Sequence, residues 1–153
     1  MNREEDMAGY AQQGAPDTLA AISRLKLDLT ILSVTSGVAT FTLEGKDPGD
    51  KKHVSNKKIT IPQGSKDVSI EFDLHDDSGN NLEYCQADPI WVSRTTTCPQ
   101  IACNDSQIVD KRAQKKKLTV TDLNTDDVEL GYTIIVEGDC GRVLVDPIIK
   151  NNP

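Results

Sequence analysis

The sequence contains few aromatic residues and few histidines: two Phe, one Trp, three Tyr and two His among 153 residues. Proteins that hold single-stranded nucleic acid stack its bases on aromatic rings, so this scarcity disfavours that ligand. No apolar run approaches the roughly 20 residues that a membrane-spanning helix needs, and none follows the N-terminal charges as in a signal peptide. We therefore expect no membrane insertion and a cytoplasmic protein, or a secreted one if a leader has been removed.

Motifs of known catalytic and cofactor sites are also missing. The sequence has no Gly-rich phosphate loop, no HExxH motif and no GxSxG nucleophile elbow. His75 is the one histidine with carboxylates close by, at Asp73 and Asp76, but no motif marks a nucleophile for it to activate. We predict no catalytic residue, no cofactor and a protein that is not an enzyme.

The charge of the chain is acidic overall but locally reversed. Twenty-four acidic and 17 basic residues give a formal net charge of -7. Nucleic acids bind to surfaces with a dominant positive field, so they are not the expected partner. The exception is the segment "VDKRAQKKK" at 109–117.

Alternation of apolar and polar residues with a period of two runs through most of the chain, which is typical of strands with one buried face. It is clearest at 25–31, 68–75 and 130–136. Turn-forming residues follow each of these segments, so we predict three hairpins. Shorter strands are predicted at "KKITI" and "KKLTV". Asp-Pro occurs before an apolar pair in both "ADPIWVS" and "VDPIIKN", where it predicts the start of a strand or a bend.

This pattern predicts an all-β fold: an antiparallel β-sandwich of immunoglobulin-like or jelly-roll type with seven to eight strands. The inward face of the strands predicts the core. It consists of Leu27, Leu29, Phe41, Ile70, Phe72, Trp91, Ile134 and Val143. Residues 1–17 lack periodicity and are predicted to form a flexible N-terminal arm. Residues 18–153 are predicted to form a single domain with a long loop at about 94–117.

Cys98 and Cys103 form a C-x4-C pair inside that loop. With Cys85 and Cys140 they could bind zinc, they could close a local disulfide, or they could be plain buried thiols. No motif specifies a second ligand pair, so we predict no bound metal. The turn "FDLHDDSGNN" is rich in oxygen ligands, but its spacing does not match an EF-hand, and a hairpin turn explains the same residues.

The loop at 94–117 is the predicted working surface, because loops outside the regular strands commonly carry function. We expect it to bind a protein partner, or the protein to self-associate through its loops or a sheet edge. The alternative is a carbohydrate- or calcium-dependent ligand-binding module. The predicted partner-binding residues are Arg94, Lys111, Arg112, Lys115, Lys116 and Lys117.

Overall fold

The structure, a computed structural model, describes residues 19–95 and 97–153; the predicted arm at 1–17 lies outside them. The described residues form twelve strands and one short helix, α1 (Pro48–Lys51), which confirms the all-β class. The strands are β1 (Arg24–Thr35), β2 (Val38–Gly45), β3 (Val54–Ser55), β4 (Lys58–Thr60), β5 (Val68–Asp76), β6 (Glu83–Tyr84), β7 (Ile90–Ser93), β8 (Ile108–Ala113), β9 (Lys117–Asp122), β10 (Glu129–Gly138), β11 (Gly141–Val145) and β12 (Ile148–Lys150).

All twelve strands belong to one mixed sheet, whereas the sequence predicted seven or eight antiparallel strands. The order is β3-β4-β12-β10-β11-β2-β1-β5-β9-β8, and β6 and β7 both pair with β10. Three pairs are parallel: β1 with β5, β2 with β11 and β4 with β12. Alternation marks which face of a strand is buried but not which neighbour it pairs with, so it did not detect these parallel pairs.

Two of the three predicted hairpins are present, and one is wrong. β1 and β2 are joined by a turn at Ser36 and Gly37. β10 and β11 also form a hairpin, in which Gly138 and Gly141 are the paired residues next to the turn. The turn after β5 does not form a hairpin. It leads instead to β6, which pairs with β10.

Both Asp-Pro segments lead into a strand, as the sequence predicted, and the structure shows that both strands pair with β10. Ile90 of β7 pairs with Ile134, and Ile148 of β12 pairs with Gly131 on the other edge of β10. β11 and β12 pair with β10 in the same register, so together they act as one partner strand of β10 that is broken in the middle. The interruption falls at Pro147, which has no N–H to donate to a ladder.

The core lies on the inner face of this sheet. All eight predicted core residues are buried, but only seven of them lie in this core, because Trp91 belongs to a second cluster. β10 is buried on both faces, with a smaller cluster of Cys85, Trp91 and Ile135 on its outer side. The rings of Phe72 on β5 and Tyr132 on β10 lie 6.0 Å apart, although these strands are not neighbours in the sheet. The sheet therefore curves back far enough to pack β5 against β10.

The segment at 94–117 is not one long loop, because strand β8 and the first residue of β9 occupy its C-terminal part. The remaining loop packs against β10. The Gly131 N–H donates to the Thr95 carbonyl, and the Thr133 hydroxyl donates to the Pro99 carbonyl. A Cβ at Gly131 would lie 2.5 Å from the Thr95 oxygen, so this approach requires glycine.

Candidate functional site

Four of the six predicted partner-binding cations form contacts within the protein, and the first of these is Arg94. The Arg94 guanidinium pairs with Asp105 at 2.7 Å and with Asp126 at 2.5 Å. Hydrogen bonds to Asp105 and then to Asp126 raise the pKa of Arg94 above its ordinary value. Arg94 thus connects the loop after β7 to the segment after β9 and is a structural residue.

Lys111 lies half-buried on β8, and its ammonium donates to the Ile90 carbonyl and to the Asn104 side chain. Loss of solvent lowers the pKa of Lys111 below its ordinary value. Because two of its three N–H donors are used within the protein and its side chain is half-buried, Lys111 is poorly placed to meet a partner.

The other four cations lie together on the hairpin that joins β8 to β9, and we call them the hairpin cation cluster. All four side chains are exposed. Two form contacts inside the protein: the Lys116 ammonium donates to the Leu82 carbonyl, and Lys117 Nζ lies 3.8 Å from Glu71 Oε1. Among the described residues, no acidic side chain forms a salt bridge with the remaining two. The cluster consists of Arg112, Lys115, Lys116 and Lys117.

The backbone of this hairpin turn is held in place by hydrogen bonds. Within the turn, the Gln114 N–H donates to the Lys117 carbonyl at 2.8 Å. The Lys115 carbonyl accepts from the Tyr84 N–H of β6, and the Lys116 carbonyl accepts from the Leu74 N–H of β5. The cations are therefore presented by a fixed backbone, beside a shallow cavity lined by Asp73, Leu74 and His75.

A separate network of charges lies on the outer face of β1 and β5, together with Lys46, which follows β2. Asp28 accepts from His75 Nε2 and from Lys46 Nζ, each at 2.8 Å, and Lys46 also pairs with Asp73 at 2.8 Å. Burial acts to raise the pKa of Asp28, but the hydrogen bonds from Lys46 and His75 lower it below its ordinary value. His75 thus pairs with Asp28 rather than with its sequence neighbours Asp73 and Asp76.

The oxygen-rich turn after β5 is organised by its own hydrogen bonds. One carboxylate oxygen of Asp76 accepts from the N–H and hydroxyl of Ser78, and the other accepts from the Leu82 N–H. The Asn80 carbonyl accepts from the Asp139 N–H, which attaches the turn to the β10–β11 hairpin. Both oxygens of Asp76 already have partners, so the turn has a structural explanation without calcium.

A cluster of buried polar side chains lies where β8 and β9 meet the C-terminal segment. Asp122 Oδ1 accepts from the Asn124 N–H and from the Asn151 side chain. Gln107 Oε1 accepts from the Thr125 and Asp126 N–H groups and from Asn151. Segments such as "NDSQ" and "DLNTDD" have the composition of solvent-exposed loops, and no sequence pattern indicated that they would be enclosed.

This cluster contains more acceptors than donors. Three oxygens of fully buried residues have no hydrogen-bond partner among the described residues: Asp122 Oδ2, Asn124 Oδ1 and Asn151 Oδ1. Burial raises the pKa of Asp122 to about 6, against the effect of its hydrogen bonds from Asn124 and Asn151. A proton on Asp122 would convert one of the unpaired acceptors into a donor, so the neutral carboxylic acid fits this environment best.

The four cysteines are free thiols. Cys98 donates to the Pro147 carbonyl and Cys103 donates to the Val92 carbonyl. Pro147 and Val92 lie opposite Tyr132 on the two sides of β10, so their carbonyls are about 10 Å apart at the usual strand spacing. The two thiols therefore donate to carbonyls on opposite sides of β10. Within the described ranges, no group of three or more His, Cys, Asp or Glu side chains could hold a metal ion.

No protein-family model matches the chain, and no curated protein is significantly similar to it. In the part of the chain that the structure describes, no helix has the length and apolar character needed to cross a membrane.

Proposed function

We propose that this protein is a non-catalytic binding module that docks through its β8–β9 hairpin onto an acidic surface of a protein partner. The observation that carries the proposal is the hairpin cation cluster. Arg112 and Lys115 are exposed on a turn whose carbonyls are fixed by β5 and β6. A rigid backbone reduces the entropy that is lost when a partner binds, and clustered cations attract an acidic surface.

We also propose that the domain is of sandwich type, with two layers formed by one curved sheet. The contact between Phe72 and Tyr132 supports this arrangement, as does the hydrogen bond of 2.9 Å from the Tyr84 hydroxyl to the Phe72 carbonyl. Loops and turns at the ends of such layers are common sites of recognition. The β8–β9 turn lies at one such end, beside the end of β5.

The carbohydrate alternative has less support. Trp91 is only 6% exposed, and its indole N–H donates to Asp88. The Arg142 guanidinium lies over the Trp91 ring, 5.8 Å from its centre. The one tryptophan is therefore not an open stacking platform, and binding to an acidic protein surface is the function that the described geometry favours.

The proposal can be tested with a fluorescein-labelled polyglutamate peptide as a model acidic surface. The double variant Arg112→Glu with Lys115→Glu should bind the peptide several-fold more weakly in low salt, and added salt should weaken binding to the native protein. The matched control is Arg24→Glu with Lys66→Glu, which makes the same change in net charge at exposed positions away from the hairpin. Equal loss in both double variants would show a general effect of net charge and would contradict a hairpin site.

A further inference from the structure

The chain between β2 and β4, residues 46–57, covers the side of β2 that faces away from β1, and we call it the edge segment. Its helix α1 packs tightly on the end of β2, where a Cβ at Gly45 would lie 2.3 Å from the Asp50 backbone. β3 then lies beside β2, and Lys57 Nζ lies 4.6 Å from the centre of the Phe41 ring. The edge segment therefore closes the outer edge of β2.

A single buried side chain anchors the edge segment. His53 is 6% exposed, whereas every other residue from 46 to 57 is exposed or half-buried. The ladder between β3 and β4 contains two residue pairs. Next to it, the His53 carbonyl accepts from the Thr60 N–H at 2.7 Å. The closed position of the segment thus depends strongly on the burial of one histidine.

The site of His53 suits a neutral ring. In the described part of the chain, His53 Nδ1 has no hydrogen-bond partner although it is enclosed. A neutral imidazole can leave this nitrogen without a proton, whereas an imidazolium has an N–H donor on both nitrogens. Charging the ring would therefore enclose an unpaired donor and a charge, and both are costly away from water. A charged His53 gains hydration only if the edge segment moves away from the core.

The charges close to the ring do not compensate for its burial. Loss of solvent is the largest effect, and it lowers the pKa of His53 below its ordinary value. The Thr60 backbone and the Asp50 carboxylate of α1 act to raise this pKa, while the Lys52 ammonium acts to lower it. Burial therefore decides the direction of the shift.

The other charged side chains around the edge segment are paired elsewhere or lie at the surface. Lys46 pairs with Asp28 and Asp73, and Lys58 of β4 pairs with Glu129. The remaining ones are exposed or half-buried at the surface: Lys26, Glu44, Asp47, Lys51 and Lys57. His53 is therefore the titratable group of this segment whose charge is tied to its burial.

We propose that the edge segment is a proton-controlled cover: protonation of His53 in mildly acidic solution releases residues 46–57 from β2 while the rest of the sheet stays folded. Release uncovers the Phe41 ring and the outer edge of β2. The ordinary pKa of histidine is 6.5, and that of the enclosed ring is lower. The closed form therefore has its full stability above pH 6.5 and loses stability as the pH falls below that value. The β8–β9 hairpin plays no part in this proposal.

Amide hydrogen exchange separates the edge segment from the rest of the fold. Protection at Thr60, whose N–H donates to the His53 carbonyl, should fall several-fold between about pH 7.5 and about pH 5, after correction for exchange of the unfolded chain. Protection at Ile135, whose N–H donates to the Pro89 carbonyl, should stay equal or rise, because a proton on Asp122 stabilises the fold over this range. An unchanged Thr60 amide, or an equal fall at both amides, would overturn the proposal.

Two variants assign the effect to one ring. His53→Gln has a side chain that does not titrate, so Thr60 should show equal protection at both pH values. His75→Gln changes the other histidine, which is exposed, and should keep the response of the native protein. A pH response that persists in His53→Gln would contradict the proposal. So would an NMR titration of the native protein in which the His53 ring becomes charged while Thr60 stays protected, and this measurement needs no variant to fold.

Discussion

At the residue scale, Asp122 shows how a buried carboxyl can depend on a proton. The folded protein holds it among neutral amides, and Asp105, whose charge acts on its pKa, is itself paired with Arg94. Both burial and the charge of Asp105 favour the protonated acid. Ionisation of Asp122 therefore destabilises the folded state relative to the unfolded chain.

Asp122 should make the protein less stable as pH rises. Its pKa is about 6 in the folded protein and 3.8 ordinarily, so the folded state binds more protons between these values and stability falls across that window. The difference between these two pKa values corresponds to a loss of at most about 3 kcal/mol in the free energy of unfolding. The Asp122→Asn variant should remove this loss, and urea unfolding should show it to be more stable than the native protein above about pH 7.

The matched control for this prediction is Asp110→Asn, at an exposed position on β8. It should leave the pH dependence unchanged. If the native protein and Asp122→Asn show the same slope of stability against pH, the carboxyl is ionised at no cost and our description of the buried cluster is wrong.

At the element scale, the sequence predicted single strands better than their partners. Alternation identified the buried faces of β1 and β5, because burial of one face imposes a period of two. It did not predict that β10 is buried on both faces. The parallel pairing of β1 with β5 depends on residues more than 40 positions apart, and no local pattern encodes it. The same limit applies to the candidate site. Composition indicated the hairpin cation cluster, but only tertiary contacts showed that Arg94 and Lys111 bond to groups within the protein.

Gly131 tests how the loop after β7 is attached to β10. A Cβ at this position would lie 2.5 Å from the Thr95 oxygen and 2.8 Å from the Thr97 oxygen, and both are backbone atoms. Gly131→Ala should therefore reduce the free energy of unfolding by about 1–3 kcal/mol, as other overpacked sites do. Gly49→Ala is the control, because nothing lies within 4 Å of a Cβ there. Equal stability of the two variants would show that the loop can move away at no cost.

At the scale of the whole molecule, β10 joins two apolar clusters that lie on its opposite faces. The main core contains Tyr132, Ile134 and Val136, while the smaller cluster contains Ile135 and Trp91. Because one strand contributes to both, opening either cluster disturbs the hydrogen bonds that hold the other. We therefore expect the described residues to unfold as one cooperative unit.

Trp91 makes this expectation measurable, because it is the one tryptophan in the chain and it lies in the smaller cluster. Urea unfolding followed by tryptophan fluorescence should coincide with unfolding followed by far-ultraviolet circular dichroism, which reports the whole sheet. The variant Phe72→Ala, in the main core, should lose about 3–5 kcal/mol and shift both transitions equally. A fluorescence transition that comes first, or that does not respond to Phe72→Ala, would mean that the cluster around Trp91 opens independently, and β10 would then not couple the two faces of the sheet.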